Sequence, residues 1–272
     1  MSVFGISLKD NKEQQELARL IMENDKPIVI GLGMAGTGKT FVSVATALHL
    51  LNANYDNKNG NKRSCNNRSS GNYHKIVYTR NPVEVGKSIG FLKGGMDEKF
   101  GPYTAPLLDT LESIEAASEY KVNKNDLMKK IEVVPLGFMR GRNFAPGTIL
   151  IVDECQNLNL AALKTVMTRM SDYCKVILLG SMNQIDEPEQ RKKRKCDFQR
   201  VVEKFEDVQS PWVGIVNLTK SMRSAWCAEI DTLLGEIETE SVAPSRTYNV
   251  TWGDGTHDGS FTSEEIYKDC VR

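Results

Sequence analysis

No C-x-x-C pair occurs among the six cysteines of this 272-residue chain (Cys65, Cys155, Cys174, Cys196, Cys227, Cys270), and His49, His74 and His257 fall near none of them at ligand spacing. That argues against a zinc centre and a disulfide framework and favours reduced thiols. Net charge is also lacking: 35 Lys plus Arg balance 35 Asp plus Glu. No overall field draws the molecule onto nucleic acid or a membrane, so any such binding must be local. Aromatic residues make up only 7%, too few for base stacking to be assigned from sequence. No apolar run approaches the ~18 residues of a membrane span. The opening MSVFGISLKDNKEQQ has no basic segment followed by an apolar stretch, as a secretory leader would. The expectation is a cytoplasmic protein with no membrane partner. No internal repeat is visible.

What is present is ordinary globular material, 40% hydrophobic and 26% charged, long enough for one large domain or two small ones. PIVIGL (27–32), KIVYT (75–79), TILIV (148–152), KVILLG (175–180) and VGIVNL (213–218) are short β-branched runs, apolar on both faces as buried parallel strands are. Phe41, Val44, Ala45 and Leu48 recur at helical spacing after the first run. Leu163, Val166, Met167 and Met170 do so after the third, with Asn157 or Asn159 as N-cap. Strands alternating with helices predict an α/β fold with a parallel sheet and right-handed crossovers. Residues 52–73, crowded with Asn, Ser, Gly and Lys, read as a mobile surface insertion. The expected layout is a domain over 1–240 and a C-terminal extension of weak structure over 241–272.

Gly33-Met-Ala-Gly-Thr-Gly-Lys-Thr40 fits G-x-x-x-x-G-K-[ST] between a strand and a helix. Chance alone gives such a match in roughly one chain in a hundred of this length, before the flanking elements are counted. The glycines let successive N–H groups point into one hollow, and the helix N-terminus adds its positive dipole end, a cradle for anionic phosphate oxygens. The nucleotide-binding residues are then Gly33, Met34, Ala35, Gly36, Thr37, Gly38, Lys39, Thr40 and Phe41. Lys39 reaches the β- and γ-phosphates and Thr40 takes a position on Mg²⁺.

ILIV-Asp153-Glu154 is a hydrophobic strand ending in two carboxylates, the form of a Walker B segment. Many strands end in an acid, so the reading leans on the phosphate loop elsewhere in the chain. Asp153 would hold Mg²⁺ through water, and Glu154 would orient or deprotonate the attacking water. Gln184, after the fourth strand, is placed to sense the γ-phosphate and that water, although a polar loop residue would look the same.

The phosphate loop, TRNPVEVGKSIGFLKGGMDEKFGPYTAPLLDTL (79–111), IEVVPLGFMRGR (131–142), ILIVDECQN (149–157), MTRM (167–170) and GSMNQID (180–186) together resemble the PhoH family. The resemblance runs from about Gln14 to Leu234. It implies a RecA-like P-loop NTPase fold with helices on both faces of the sheet, a relationship to superfamily 1 helicases, and ATP and Mg²⁺ as cofactors. It makes Gln14, or Gln15 one place on, an adenine-recognising glutamine. It sets Thr79, Arg80 and Pro82 where related motors grip single-stranded nucleic acid, and gives Arg140 and Arg142 to nucleic acid or a neighbouring subunit. It also offers Arg223 as an arginine finger, with Arg169 as runner-up. Single-stranded RNA as the partner comes from the family alone. Ser181 stands where relatives often have Asp, which puts coupling of hydrolysis to movement in question; Cys155 replaces the usual Ala, a small-for-small change.

One RecA-like domain makes half of a helicase site. A homo-oligomer, a hexameric ring being one form, would complete it. The alternative is an ATP-gated binding or assembly module with slow turnover; a small-molecule kinase is disfavoured because Glu154 and Gln184 suit water as the acceptor. The run Arg191-Lys-Lys-Arg-Lys195 reads equally as a phosphate-tracking loop or a solvated face.

Overall fold

The computed structural model describes residues 1–53, 73–80, 96–139, 141–182, 184–186, 188–224, 226–227, 229–230, 233, 247–251 and 258–262. Six strands form a wholly parallel sheet: β3 (Ile28–Gly33), β4 (Lys75–Arg80), β5 (Ile131–Val133), β6 (Thr148–Asp153), β7 (Lys175–Gly180) and β8 (Val213–Leu218), in the order β5-β4-β6-β7-β3-β8. All six residues of β6, and all six of β7, are buried, as apolarity on both faces requires. Alternate residues serve two cores. Ile149 and Ile151 face one core, Leu150 and Val152 the other, so the sheet is covered on both sides.

The first core lies under α1 (Lys12–Met22), α2 (Lys39–Ala53), α3 (Met96–Ala117) and α4 (Lys124–Met128), with a two-stranded antiparallel β1 (Ser2–Val3) and β2 (Ile6–Ser7) packed beside them. The second lies under α5 (Leu160–Thr168) and α7 (Asp197–Asp207), with the short α6 (Pro188–Arg191) between them in sequence. Asn159 is the cap of α5, its side chain accepting from Ala162 N. The single stripe expected of α2 needs correction: Val42, Ser43, Thr46, Ala47, Leu50 and Leu51 are buried as well as Val44, Ala45 and Leu48. A helix flanked by α1 and α3 while lying on the sheet is covered nearly all round. The three-residue β5 is too short to show a period. In α7, by contrast, Phe198, Val202 and Phe205 keep helical spacing and went unread.

The chain divides into two compact units, 1–222 and 223–272. Within the second, β9 (Thr247–Thr251) and β10 (Asp258–Thr262) pair antiparallel. The proposed insertion, apart from its end residues 52, 53 and 73, lies outside the described residues, as do Pro82 and Arg140.

Candidate nucleotide site

β3 runs straight into the phosphate loop and α2 begins at Lys39. At Gly33, with φ at +147°, a Cβ would stand 2.4 Å from Leu218 O on the neighbouring strand; at Gly38, with φ at +87°, it would stand 2.5 Å from Gln14 Nε2. Both positions need glycine for conformation and for space. Thr37 Oγ1 donates to Met34 O at 2.9 Å, and Lys39 Nζ donates to Gly33 O at 2.6 Å and Met34 O at 2.8 Å. The ammonium therefore sits in the mouth of its own loop, held by acceptors that a phosphate oxygen can replace.

The helix α1 braces this loop from behind. Asn11 caps it by accepting from Gln14 N. Gln14, 5% exposed, donates from Nε2 to Thr37 O at 3.0 Å, while Gln15 turns the other way and donates to Leu8 O. Of the two glutamines, Gln14 is the one that meets the phosphate loop. The chain leaving β8 is tied to the same helix, since Glu13 accepts from Thr219 N at 2.7 Å, Thr219 Oγ1 and Lys220 N. The Thr219 hydroxyl leads the hydrogen bonds that hold the Glu13 carboxyl below its usual range against a small burial penalty. Met222 N then donates to Gly36 O at 2.8 Å. Arg223, the next residue, opens the second unit.

β7 separates β3 from β6, so those two strands lie roughly 10 Å apart. The first turn of α2 and the loop after β7 close that gap. Thr40 Oγ1 donates to Asp153 Oδ2 at 3.1 Å, and Tyr78 OH on β4 donates to the same oxygen at 2.8 Å. Asp153 Oδ1 accepts from Glu154 N. Asp153 is 5% exposed and Tyr78 fully buried, and burial first, then the Asp153 charge, raises the Tyr78 hydroxyl pKa. Gln184 Oε1 accepts from Ala35 N at 3.0 Å, which joins the candidate sensor to the phosphate loop. Lys39, Thr40, Asp153, Glu154 and Gln184 therefore gather at one rim of the sheet.

One carboxylate and one hydroxyl, 3.1 Å apart, form a hard-oxygen donor set of the kind Mg²⁺ accepts beside phosphate oxygens and water. Among the described residues no group of three or more His, Cys, Asp or Glu could hold a metal alone, so a divalent ion here would share its ligands with a phosphate.

Glu154 follows the strand with φ at +56°, a left-handed conformation unusual for a residue with a side chain. Burial first, then the Asp153 charge, raises its carboxyl above the usual range; Gln156, Arg80 and Lys39 oppose this. Gln156 Nε2 donates to Glu154 Oε2 at 2.6 Å, and Arg80 Nη2 lies 3.6 Å from Glu154 Oε1. Cys155 is fully buried in the second core, consistent with a small-for-small change. The partners missed by sequence reasoning are Tyr78 and Gln156. A hydroxyl inside the apolar run KIVYT was a signal, because buried Tyr hydroxyls seek partners. The amide of Gln156, two places after Glu154, was another.

The nucleic-acid candidates are not gathered in this way. Thr79 is completely buried and its hydroxyl has no hydrogen-bond partner, so of Thr79 and Arg80 only the arginine reaches the surface. Arg142 pairs with Glu132 at 3.0 Å and lies over the Phe144 ring. Arg169 ends α5, and its carbonyl accepts from Phe144 N, beyond the start of β6. That is the rim opposite its own phosphate loop, so a finger role for Arg169 could only serve another subunit. The run 191–195 is exposed, with Lys193 and Lys195 paired to Asp197 and Glu203.

A family model described as PhoH-like protein matches residues 7–58 and 63–234. Over 177 residues the chain is 38% identical to a PhoH-like protein of Bacillus subtilis (strain 168), covering 64% of this chain and 48% of that protein. Over 226 residues it is 34% identical to Protein PhoH2 of the same organism, covering 82% and 46%. The chain spans about half the length of the curated relatives it matches. The crystal structure of Pif1 helicase from Candida albicans aligns over 85% of this chain and 44% of that one, at TM-score 0.39 and 12% identity. That likeness is too loose to bear on the fold, which rests on the strand order and the phosphate loop. A RecA-like α/β architecture, the motifs in their order and a family match over most of the sequence agree: the chain belongs to the PhoH family.

Proposed function

We propose that the protein is a Mg²⁺-dependent ATPase whose turnover is coupled to binding or remodelling single-stranded RNA in a homo-oligomer. The observation that carries the reading is the 3.1 Å hydrogen bond from Thr40 to Asp153, which joins the phosphate loop and the acidic strand end. Bound Mg²⁺ would neutralise charge developing on the phosphates. Lys39 would exchange its loop carbonyls for phosphate oxygens, and Gln14 keeps the loop in shape behind it. Glu154 orients the water and takes its proton, helped by a raised affinity for protons. Gln184 reports loop geometry through Ala35. Arg223 is the finger for a neighbouring subunit. Arg80 contributes to the RNA surface, while Arg140 and Arg142 serve nucleic acid or a neighbouring subunit. A domain over 1–240 followed by a C-terminal extension over 241–272 remains part of the proposal, as does a cytoplasmic setting.

The experiment is ATP turnover with and without single-stranded RNA across a range of protein concentrations. Stimulation by RNA and a specific rate that rises with concentration are expected. A rate indifferent to RNA but raised by a protein partner would favour the ATP-gated assembly module. A specific rate constant with concentration in a monodisperse monomer would contradict the shared site.

A further inference from the structure

We propose that Gln156 is a positioning residue, holding the Glu154 carboxylate in its working direction and tying it through Gln184 to the phosphate loop. The inference rests on the reading of Glu154 as the group that handles the attacking water.

Gln156 is 1% exposed, and every hydrogen-bonding end of its amide is engaged. Nε2 donates to Glu154 Oε2 at 2.6 Å and to Gln184 O at 2.9 Å, while Oε1 accepts from Ser181 N at 3.0 Å. The amide orientation follows from its neighbours: a carboxylate and a carbonyl can only accept, and a backbone N–H can only donate. Gln184 in turn accepts from Ala35 N at 3.0 Å. A path of hydrogen bonds therefore runs from the loop that would hold the phosphates, through Gln184 and Gln156, to the carboxylate that would act on water.

Only a primary amide can fill this place. It needs two N–H donors and one acceptor in a single plane, which no carboxylate, hydroxyl or apolar side chain supplies. Length matters as well, because the amide must span from the helical turn after β6 to the end of β7. Glu154 also needs such an anchor. Its left-handed φ of +56° leaves the direction of the side chain to its surroundings, since such conformations persist where neighbours over-determine them. Arg80, a further donor near its carboxylate, stands off at 3.6 Å and is partly solvent-exposed. Asp153 and Lys39 also face Glu154.

A double-mutant cycle in the full chain tests the assignment. Gln156→Met keeps the volume and removes both donors. Turnover should fall between about tenfold and a hundredfold, with KM for ATP and Mg·ATP binding within about twofold of the wild type. In a Glu154→Gln background, followed by single-turnover hydrolysis, Gln156→Met should cost less than about a further twofold, because the group it positions is already disabled. A loss that multiplies in full in that background, a parallel loss of Mg·ATP binding, or an unchanged kcat would overturn the inference. If Gln156→Met does not fold, Gln156→Asn, which keeps the amide but shortens its reach, is taken through the same cycle with the same criteria. A Glu154→Gln protein that turns over like the wild type would instead overturn the reading of Glu154, and the two failures are distinguishable.

Discussion

The two rims of the sheet solve the problem of polar groups in opposite ways. At the carboxyl ends of the strands, Asp153, Gln156 and Tyr78 are buried, with Tyr78 donating to Asp153 and Gln156 donating to Gln184 O in the loop after β7. At the amino ends, Lys75 and Arg142 meet Glu132 at 2.6 and 3.0 Å, with all three side chains about two-fifths exposed. Exposed ion pairs of the second kind are worth about 0 to 1 kcal/mol. A buried polar cluster of the first kind is costly unless every member is satisfied. A fold gains nothing from that arrangement for its own sake, so the carboxyl rim is where chemistry is expected. Lys175 is the instructive exception. It is buried at the start of β7, and its ammonium donates to the carbonyls of Glu23 and Lys26 just past the end of α1. There the buried charge closes a helix end, with the charges of Asp25 and Glu23 beside it.

The contrast can be sharpened by substitution. Tyr78→Phe removes a donor from Asp153 Oδ2 while leaving the ring in the core. The Mg²⁺ concentration needed for half-maximal turnover should rise about tenfold, a loss of roughly 1.4 kcal/mol in metal affinity, with stability down by about 1 kcal/mol. A Mg²⁺ titration of ATPase rate checks the first, and an unmoved midpoint would mean that Tyr78 only fills space.

At the other rim the effect appears in stability alone. Burial pushes the Lys175 amine down to about 8 from its ordinary 10.5. Between those values the unfolded chain holds more protons than the folded one, so the stability attributable to this group rises with pH across that window. Denaturant unfolding of wild type and Lys175→Met at pH 7.5 and 10 should show the wild type gaining on the variant by about 2 kcal/mol. Equal pH dependence would show that the amine is hydrated.

Much of this was legible in the sequence because the chemistry imposed local patterns. The phosphate loop, the acidic strand end and the five longer strands each carry their signal within about eight residues. The helix faces were less legible: α2 is buried nearly all round because α1 and α3 press on it, which no single helix's periodicity reports. Tyr78 and Gln156 were missed because their partners lie on other strands. Asp153 is 75 positions from Tyr78, and Gln184 is 28 from Gln156. Which glutamine faces the loop is likewise a question of tertiary placement. Gln14 rather than Gln15 faces the loop only because α1 lies where it does.

The central claim is that Lys39 and Asp153 converge on one Mg²⁺-bound triphosphate. Calorimetric titration of Mg·ATP into the wild type, Lys39→Ala and Asp153→Asn tests it most directly. Saturable heat is predicted for the wild type, with binding lost in Lys39→Ala and its Mg²⁺ dependence lost in Asp153→Asn. No heat from the wild type, or three indistinguishable isotherms, would contradict it.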